Sequence, residues 1–298
     1  MSAQIIDFVK MEGSGNDFVL VDSREALPCA RVKFVQLVAD RHFGIGCDGV
    51  IFLDPSTLAD FRMTYFNADG GETICGNGLR CLARYIVSRG FIEEGRKEFE
   101  IETLTGVVPV RVFGRGERIR VDLGHPIFEG ARIPTASSGE QLGVRLEVDG
   151  KSYPVHAVSI GNPHCVLFVP DVSNAPVSDL GRKLEQHSFF PQRANVEFVE
   201  VIDDERFRVR VWERGIGETL SCGTGVCAAL VTAVRAGYSK RKVMAETGGG
   251  VLEVNWDETT DRVYLTGSQE EVYHGQVDVN RLIDGAARRA NRGALPAS

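Results

Sequence analysis

Two cysteines in this 298-residue chain sit in nearly the same unusual setting. Cys75 lies in "GETICGNGLRCLARYIV" and Cys222 in "GETLSCGTGVCAALVTAV". Each follows a Gly-Glu-Thr turn, precedes a Gly-x-Gly and opens an apolar run. A thiol at the mouth of a helix meets unpaired N–H groups and a partial positive charge, which lowers its pKa. The glycines remove Cβ atoms, so a ligand can approach the backbone, and the same N–H groups can bind a carboxylate or phosphate. Each stretch therefore offers a proton-transfer group beside an anion cradle. One reaction class uses two such groups. To invert a stereocentre, one base removes the α-proton and a second group delivers a proton to the opposite face. A thiolate and a thiol would exchange roles with direction, and the helix ends would stabilise the charge that develops.

Other chemistries fit less well. Cys75 to Cys81 and Cys222 to Cys227 are not metal-ligand spacings, and no His pair accompanies them, so no metal is expected. A cysteine hydrolase could use His164 as its base, but the second thiol would then have no role. No Gly-Lys-Ser/Thr phosphate loop occurs. Cys47, Cys81, Cys165 and Cys227 read as small core residues.

The elements that position the two thiols repeat at half-chain length. "FRMTYFNADGGETICGNG" from Phe61 matches "FRVRVWERGIGETLSCGTG" from Phe207. "GNDFVLVD" at Gly15 matches "GNPHCVLFV" at Gly161, and "GVIFLD" at Gly49 matches "NVEFVE" at Asn195. The short branched and aromatic runs read as strands. After each cysteine comes a helix, with Leu79, Leu82, Ala83 and Ile86 on one face of the first and Val226, Ala229, Leu230 and Ala233 on one face of the second. Gly90 and Gly237 end them. The second helix is apolar nearly all round and so is expected to be buried on every side. The expected fold class is α+β, with two similar strand-rich domains. Each is a curled mixed or antiparallel sheet, barrel-like, around a central helix, and a pseudo-two-fold relates the pair. The expected boundaries are residues 1–122, completed by a strand near 268–280, then 123–267, then a tail at 281–298.

Formal net charge is −7 with no long basic block, which gives no footprint for nucleic acid. No basic leader precedes an apolar core at the start, and no apolar run is long enough to span a bilayer, so a cytoplasmic protein is expected. Seven cysteines in a chain of this length do not form a disulfide framework.

The chain resembles the diaminopimelate epimerase family over most of its length. "GSGNDFVLVD", "RHFGIGCDG", "NADGGETICGNGLRC", "GNPHCV", "RANVEF" and "ERGIGETLSCGTG" carry the resemblance, in the family's order. It implies an isomerase that needs neither pyridoxal phosphate nor metal and interconverts LL- and meso-2,6-diaminopimelate, on the route to lysine and peptidoglycan. It implies Cys75 and Cys222 as the catalytic pair. It also implies substrate contacts from Asn16, Asn67, Gly76, Asn77, Asn162, Asn195, Glu213, Arg214, Gly223 and Thr224. Family members are commonly homodimers, and Tyr273 matches a tyrosine at the family's dimer contact. The residue chemistry suits these roles: Arg214 can grip a distal carboxylate with two hydrogen bonds, Glu213 can take an ammonium, and His164 and Glu213 can tune the thiols.

Two departures from the family pattern lie in the first half. Many members carry Gln where this chain has Gly49. The stretch from Asn67 to Cys75 is one residue shorter than usual, which is expected to shift Asn67 or relax specificity. The alternative within the same fold is a cofactor-independent racemase of another amino acid, such as histidine. A non-catalytic binding or thiol-redox protein is the alternative from a different class.

Overall fold

The computed structural model describes residues 4–23 and 27–292. Along the chain run β1 (Ile5–Gly13), β2 (Asn16–Asp22), α1 (Arg31–Ala39), β3 (Gly49–Asp54), β4 (Phe61–Asn67), β5 (Glu72–Thr73), α2 (Gly76–Ser88), β6 (Glu98–Thr103) and β7 (Gly106–Phe113). Then come β8 (Arg118–Asp122), β9 (Val144–Val148), β10 (Lys151–Ser159), β11 (Pro163–Phe168), α3 (Val177–Glu185), β12 (Asn195–Asp203), β13 (Arg206–Glu213) and β14 (Gly217–Thr219). The last stretch contains α4 (Gly223–Ala236), β15 (Lys242–Thr247), β16 (Gly250–Trp256), β17 (Val263–Gly267), β18 (Glu270–Asp278) and α5 (Val279–Arg292). The chain forms two compact units: Met1–Pro109 with Gln269–Ser298, and Val110–Ser268.

In the first unit the ladder runs β18–β1–β2–β3–β4–β6, with the β2–β3 and β4–β6 pairs parallel and the rest antiparallel. Strand β4 has two neighbours on one side. β5 pairs with its end at Tyr65 and Phe66, and β6 with its start at Phe61 and Arg62. The chain leaves the sheet after β5, runs through α2 and re-enters as β6. Helix α2 packs on β1, β2, β3, β4 and β18. A second layer lies on the other face, where Phe34, Val35 and Val38 of α1 pack with Phe52, Phe66 and Val21. Leu282 and Ile283 of α5 join that cluster, so residues 281–292, expected as a tail, form a packed helix; residues 293–298 lie outside the described residues.

The second unit repeats the plan. Its ladder runs β9–β10–β11–β12–β13–β15–β16–β17–β8, again with two parallel pairs, β11–β12 and β13–β15. Strand β8 pairs with β17 at Val121 and Leu265, and the last residues of β7 pair with β8. The division therefore falls inside β7, at Pro109/Val110, earlier than the 122/123 expected, because backbone pairing carries β8 into this ladder. Helix α4 packs on β10, β11, β12, β15, β16 and β17. Every residue from Gly225 to Ala233 is buried, as its all-round apolar sequence predicts. Gly237 closes α4 at φ 77°, a left-handed conformation that glycine adopts without a Cβ penalty. Each half is thus a curled, strand-rich sheet around a central helix, as expected.

Leu230 is fully buried at the middle of α4, so its truncation leaves a cavity that the surrounding strands close only in part. Leu230→Ala should cost about 2–5 kcal/mol of unfolding free energy. Urea denaturation of the purified variant checks this, with an unchanged midpoint as the contrary result.

Candidate active site

Both cysteines are N-cap residues. Cys75 holds an extended conformation (φ −142°, ψ 116°), and its Sγ accepts from the Gly78 N–H at 3.4 Å. Cys222 (φ −120°, ψ 114°) places its Sγ 3.5 Å from Thr224 Oγ1. The first-turn N–H groups, those of Gly76 and Asn77 or of Gly223 and Thr224, have no intrahelical acceptor in any α-helix. They are the groups on which the expected anion cradle rests.

Around α2 the supporting residues form a chain of side chains. Ser14 and Gly15, at φ 54° and 84°, make a two-residue hairpin turn whose twist matches the strands, so Asn16 opens β2 opposite Gly13. The fully buried Arg80 of α2 braces this turn through Ser14 Oγ at 2.8 Å. Asn16 Nδ2 donates to Asp48 Oδ2 (3.2 Å), and Asn16 Oδ1 accepts from Asn77 Nδ2 (2.7 Å). Behind them, Arg41 bridges Asp48 and Asp17 at 2.7 Å each, and Lys10 reaches Asp17 at 2.6 Å. Burial alone would raise the Asp17 carboxyl, but hydrogen bonds from Arg41 and Lys10 prevail and hold it down at about 2. Asp48, Asp17, Arg41 and Lys10 were not among the expected site residues. Asp48 stands inside "GIGCDG", but nothing local in that motif shows that its carboxylate reaches Asn16.

Asn67 ends β4 opposite Gly49, and its N–H donates to Gly71 O at 2.9 Å. The register of β4 and β5 equals that of β13 and β14: Tyr65 faces Thr73 as Val211 faces Thr219. One residue, Ile74, then leads to Cys75, whereas Leu220 and Ser221 lead to Cys222. The missing residue therefore changes the approach to Cys75 and does not displace Asn67. At Gly49 a Cβ would lie 2.5 Å from the Tyr65 hydroxyl and 2.6 Å from the Phe66 carbonyl. The Tyr65 ring fills the place where a longer side chain would begin.

In the second unit, Glu213 stands where the first has Asn67. Its Oε1 accepts from Thr219 Oγ1 at 2.5 Å. Asn195 is held at both ends by backbone: Nδ2 donates to Pro163 O (3.1 Å), and Oδ1 accepts from the Arg214 N–H (3.0 Å). It fixes the turn that carries Arg214, whose exposed guanidinium touches only Gln192 O, at 3.2 Å, among the described residues. His164 is fully buried, with Nδ1 2.7 Å from Glu197 Oε1 and Nε2 2.8 Å from Asn162 Oδ1.

Electrostatically the Cys222 thiol departs from the expectation of a lowered pKa. Burial pushes it well above the ordinary thiol range, and Glu213 and Glu197 push it further. Hydrogen bonds from Thr224 and the Gly225 N–H act the other way and do not win. At neutral pH this thiol keeps its proton. Burial also raises Cys47, to about 11, and lifts Cys165 well above the ordinary thiol range, which suits inert packing residues. Among the described residues, no group of three or more His, Cys, Asp or Glu side chains is arranged to hold a metal. No described helix is long and apolar enough to cross a membrane.

The fold is shared with solved isomerases and their relatives. A probable proline racemase from Agrobacterium radiobacter superposes with a TM-score of 0.70 at 15% identity, covering 91% of this chain and 92% of that one. A phenazine biosynthesis protein of the PhzF family from Bacillus anthracis gives 0.68 at 20% identity, covering 92% and 99%. Sequence narrows this class. The diaminopimelate epimerase family model matches residues 8–129 and 156–272. The diaminopimelate epimerase of Moorella thermoacetica is 46% identical over 274 residues, 90% of this chain and 98% of that protein. That of Acetivibrio thermocellus is 43% identical over 280 residues, 92% and 99%. The chain belongs to the diaminopimelate epimerase family.

Because the Cys222 thiol is raised, its alkylation by iodoacetamide should be slow at pH 7 and still accelerating above pH 9. Glu213→Gln removes a negative charge that favours the protonated form, so labelling of Cys222 should quicken at any fixed pH below its titration. Peptide mass spectrometry of timed samples reads both effects. A labelling rate already flat at pH 9 would contradict the assignment.

Proposed function

We propose that this chain is a diaminopimelate epimerase interconverting the LL and meso isomers of 2,6-diaminopimelate by a two-base proton transfer. The observation that carries the reading is the twice-built helix mouth: a cysteine N-cap, a glycine-rich first turn and unpaired N–H groups, in a chain of this family. The N–H groups of Gly76 and Asn77, or of Gly223 and Thr224, accept the α-carboxylate and stabilise the charge that builds as the α-proton leaves. Cys75 and Cys222 are the acid/base pair, and no cofactor enters a step. Cys75, as the thiolate, takes the α-proton from one face of the carbon, and Cys222, which keeps its proton, then delivers its own proton to the opposite face and is left as the thiolate. In the reverse direction the roles exchange.

The remaining contacts rest on donor and acceptor chemistry. Asn77 Oδ1 is buried with no hydrogen-bond partner among the described residues, an acceptor suited to an ammonium. Arg214 offers an exposed fork for the distal carboxylate. Asn16, Asn67, Asn162 and Glu213 supply amide and carboxylate contacts, and Asn195 acts by holding Arg214. Glu213 also holds the Cys222 proton in place, and His164 acts through Asn162. The reaction belongs to the cytoplasm, where the product feeds lysine and peptidoglycan synthesis.

Incubating LL-diaminopimelate with the protein in D₂O should place deuterium at the α-carbon and yield the meso isomer. Cys75→Ala and Cys222→Ala should each lower exchange by roughly 100- to 10,000-fold. Arg214→Ala should raise KM about 10- to 100-fold, the loss of a charge-assisted contact. Proton NMR and chiral chromatography give both readouts. Absence of exchange in the unaltered protein, or faster racemisation of histidine than of diaminopimelate, would overturn the reading.

We also propose a homodimer formed through the face of β18. In the described residues this strand pairs only with β1 and exposes Val272 (56%) and Tyr273 (45%). Sedimentation velocity should give a dimer that Tyr273→Asp shifts toward monomer. A monomer at micromolar concentration would refute it.

A further inference from the structure

The two units differ sharply behind their helix mouths. In the first, Phe18 and Ile51 fill the space. A Cβ on Gly78 would meet Ile51 Cδ1 at 3.2 Å, Cys75 Cβ at 3.5 Å and Phe18 Cε1 at 3.6 Å. In the second, the equivalent positions are His164 and Glu197. A Cβ on Gly225 would lie 2.7 Å from Glu197 Oε1 and 3.2 Å from Cys222 Cβ. Both His164 and Glu197 are fully buried, and Glu197 Oε2 has no hydrogen-bond partner among the described residues. An apolar pair suffices to build this corner, as the first unit shows within the same chain. A buried His–Glu pair gives no better stability than well-packed apolar side chains. Its presence therefore points to the chemistry of the second site.

We propose that Glu197 is a positioning residue. Its Oε1 accepts the Nδ1–H of His164 and fixes that ring, and His164 Nε2 in turn sets the side-chain amide of Asn162. A carboxylate oxygen accepts, so the 2.7 Å contact takes the Nδ1–H of His164, and Nε2, now an acceptor, bonds Asn162 across 2.8 Å when the amide turns its NH₂ group to the ring. Asn162 lies in the turn before β11 and is only half-buried, so one end of its amide is held from behind and the other is available. The first unit reaches the same result by another route, with the carboxylate of Asp48 bonding Asn16 directly. Each site asparagine is thus oriented by a carboxylate, and in the second unit the carboxylate works through an imidazole. The Glu197 carboxylate, whose Oε1 lies against the first turn of α4, also helps to keep the Cys222 thiol protonated. Glu197 lies within the "RANVEF" motif, but its local signal is only a carboxylate between Val196 and Phe198 where the twin strand carries isoleucine.

For its kinetic arm the proposal rests on the epimerase reading. Its structural arm does not. Glu197→Ile installs the residue of the first unit, and Glu197→Gln keeps the shape. In full-length protein with ¹⁵N-labelled histidine, the Nδ1–H resonance of His164 should appear far downfield, move upfield in Glu197→Gln and vanish in Glu197→Ile. α-Proton exchange should fall about 100-fold in Glu197→Ile and less in Glu197→Gln, as for a substrate contact misplaced by about 1 Å. Asn162→Ala should be costly in the unaltered protein and nearly silent in the Glu197→Ile background, because both act on one contact. Unchanged resonance and rate in Glu197→Gln, or losses that multiply in the double variant, would overturn the proposal. If Glu197→Ile does not fold, the same cycle run on Glu197→Gln decides it. If the unaltered protein shows no exchange, the epimerase reading fails while the histidine spectra still test the link from Glu197 to His164.

Discussion

The structure depends on one constraint: a helix buried inside a curled sheet must still begin somewhere, and its first N–H groups have no acceptor within the helix. In both units the chain meets this constraint in the same way. A short strand at the end of β4 or β13 leads out of the ladder, a cysteine caps the helix, and glycines thin the first turn. A buried helix end lined by donors is expensive to leave without an acceptor and well suited to hold a carboxylate. The thiol is placed there by the same geometry, since the N-cap is the residue whose side chain lies over those donors.

Around that shared frame the two units have diverged electrostatically. In the repeat, Asn67 corresponds to Glu213, Gly49 to Asn195, and Phe18 and Ile51 to His164 and Glu197. The first unit surrounds its mouth with amides backed by an ion network of Lys10, Asp17, Arg41 and Asp48. The second surrounds its mouth with carboxylates, which, together with burial, keep Cys222 protonated. The same order of strands and helix thus carries different electrostatic surroundings in the two units.

The helix dipole is a local effect that falls off within one turn and is worth less than full desolvation of a thiol. The expectation of a lowered pKa at Cys222 came from weighing the dipole without the burial. The burial depends on how α4 packs against six strands, and the carboxylates arrive from β12 and β13. Likewise the shortened stretch before Cys75 looked able to move Asn67. Backbone pairing through Phe66 and Glu72 confines the change to Ile74 and the approach to Cys75.

The amino-acid sequence by itself determined the repeat, the two central helices, the cysteines at their mouths and the family. These rest on local signals: period-3.6 apolar faces, Gly and Asn at turns, and motifs whose residues are adjacent in the chain. Only the tertiary structure decided that β8 pairs with β17 and that α5 packs beside α1. It also decided that Tyr65 fills the space at Gly49, that Asn195 serves the backbone of Arg214, and that Glu197 stands behind His164. Each of these joins residues far apart in the chain, where burial and hydrogen-bond partners are set by packing and no local pattern encodes them.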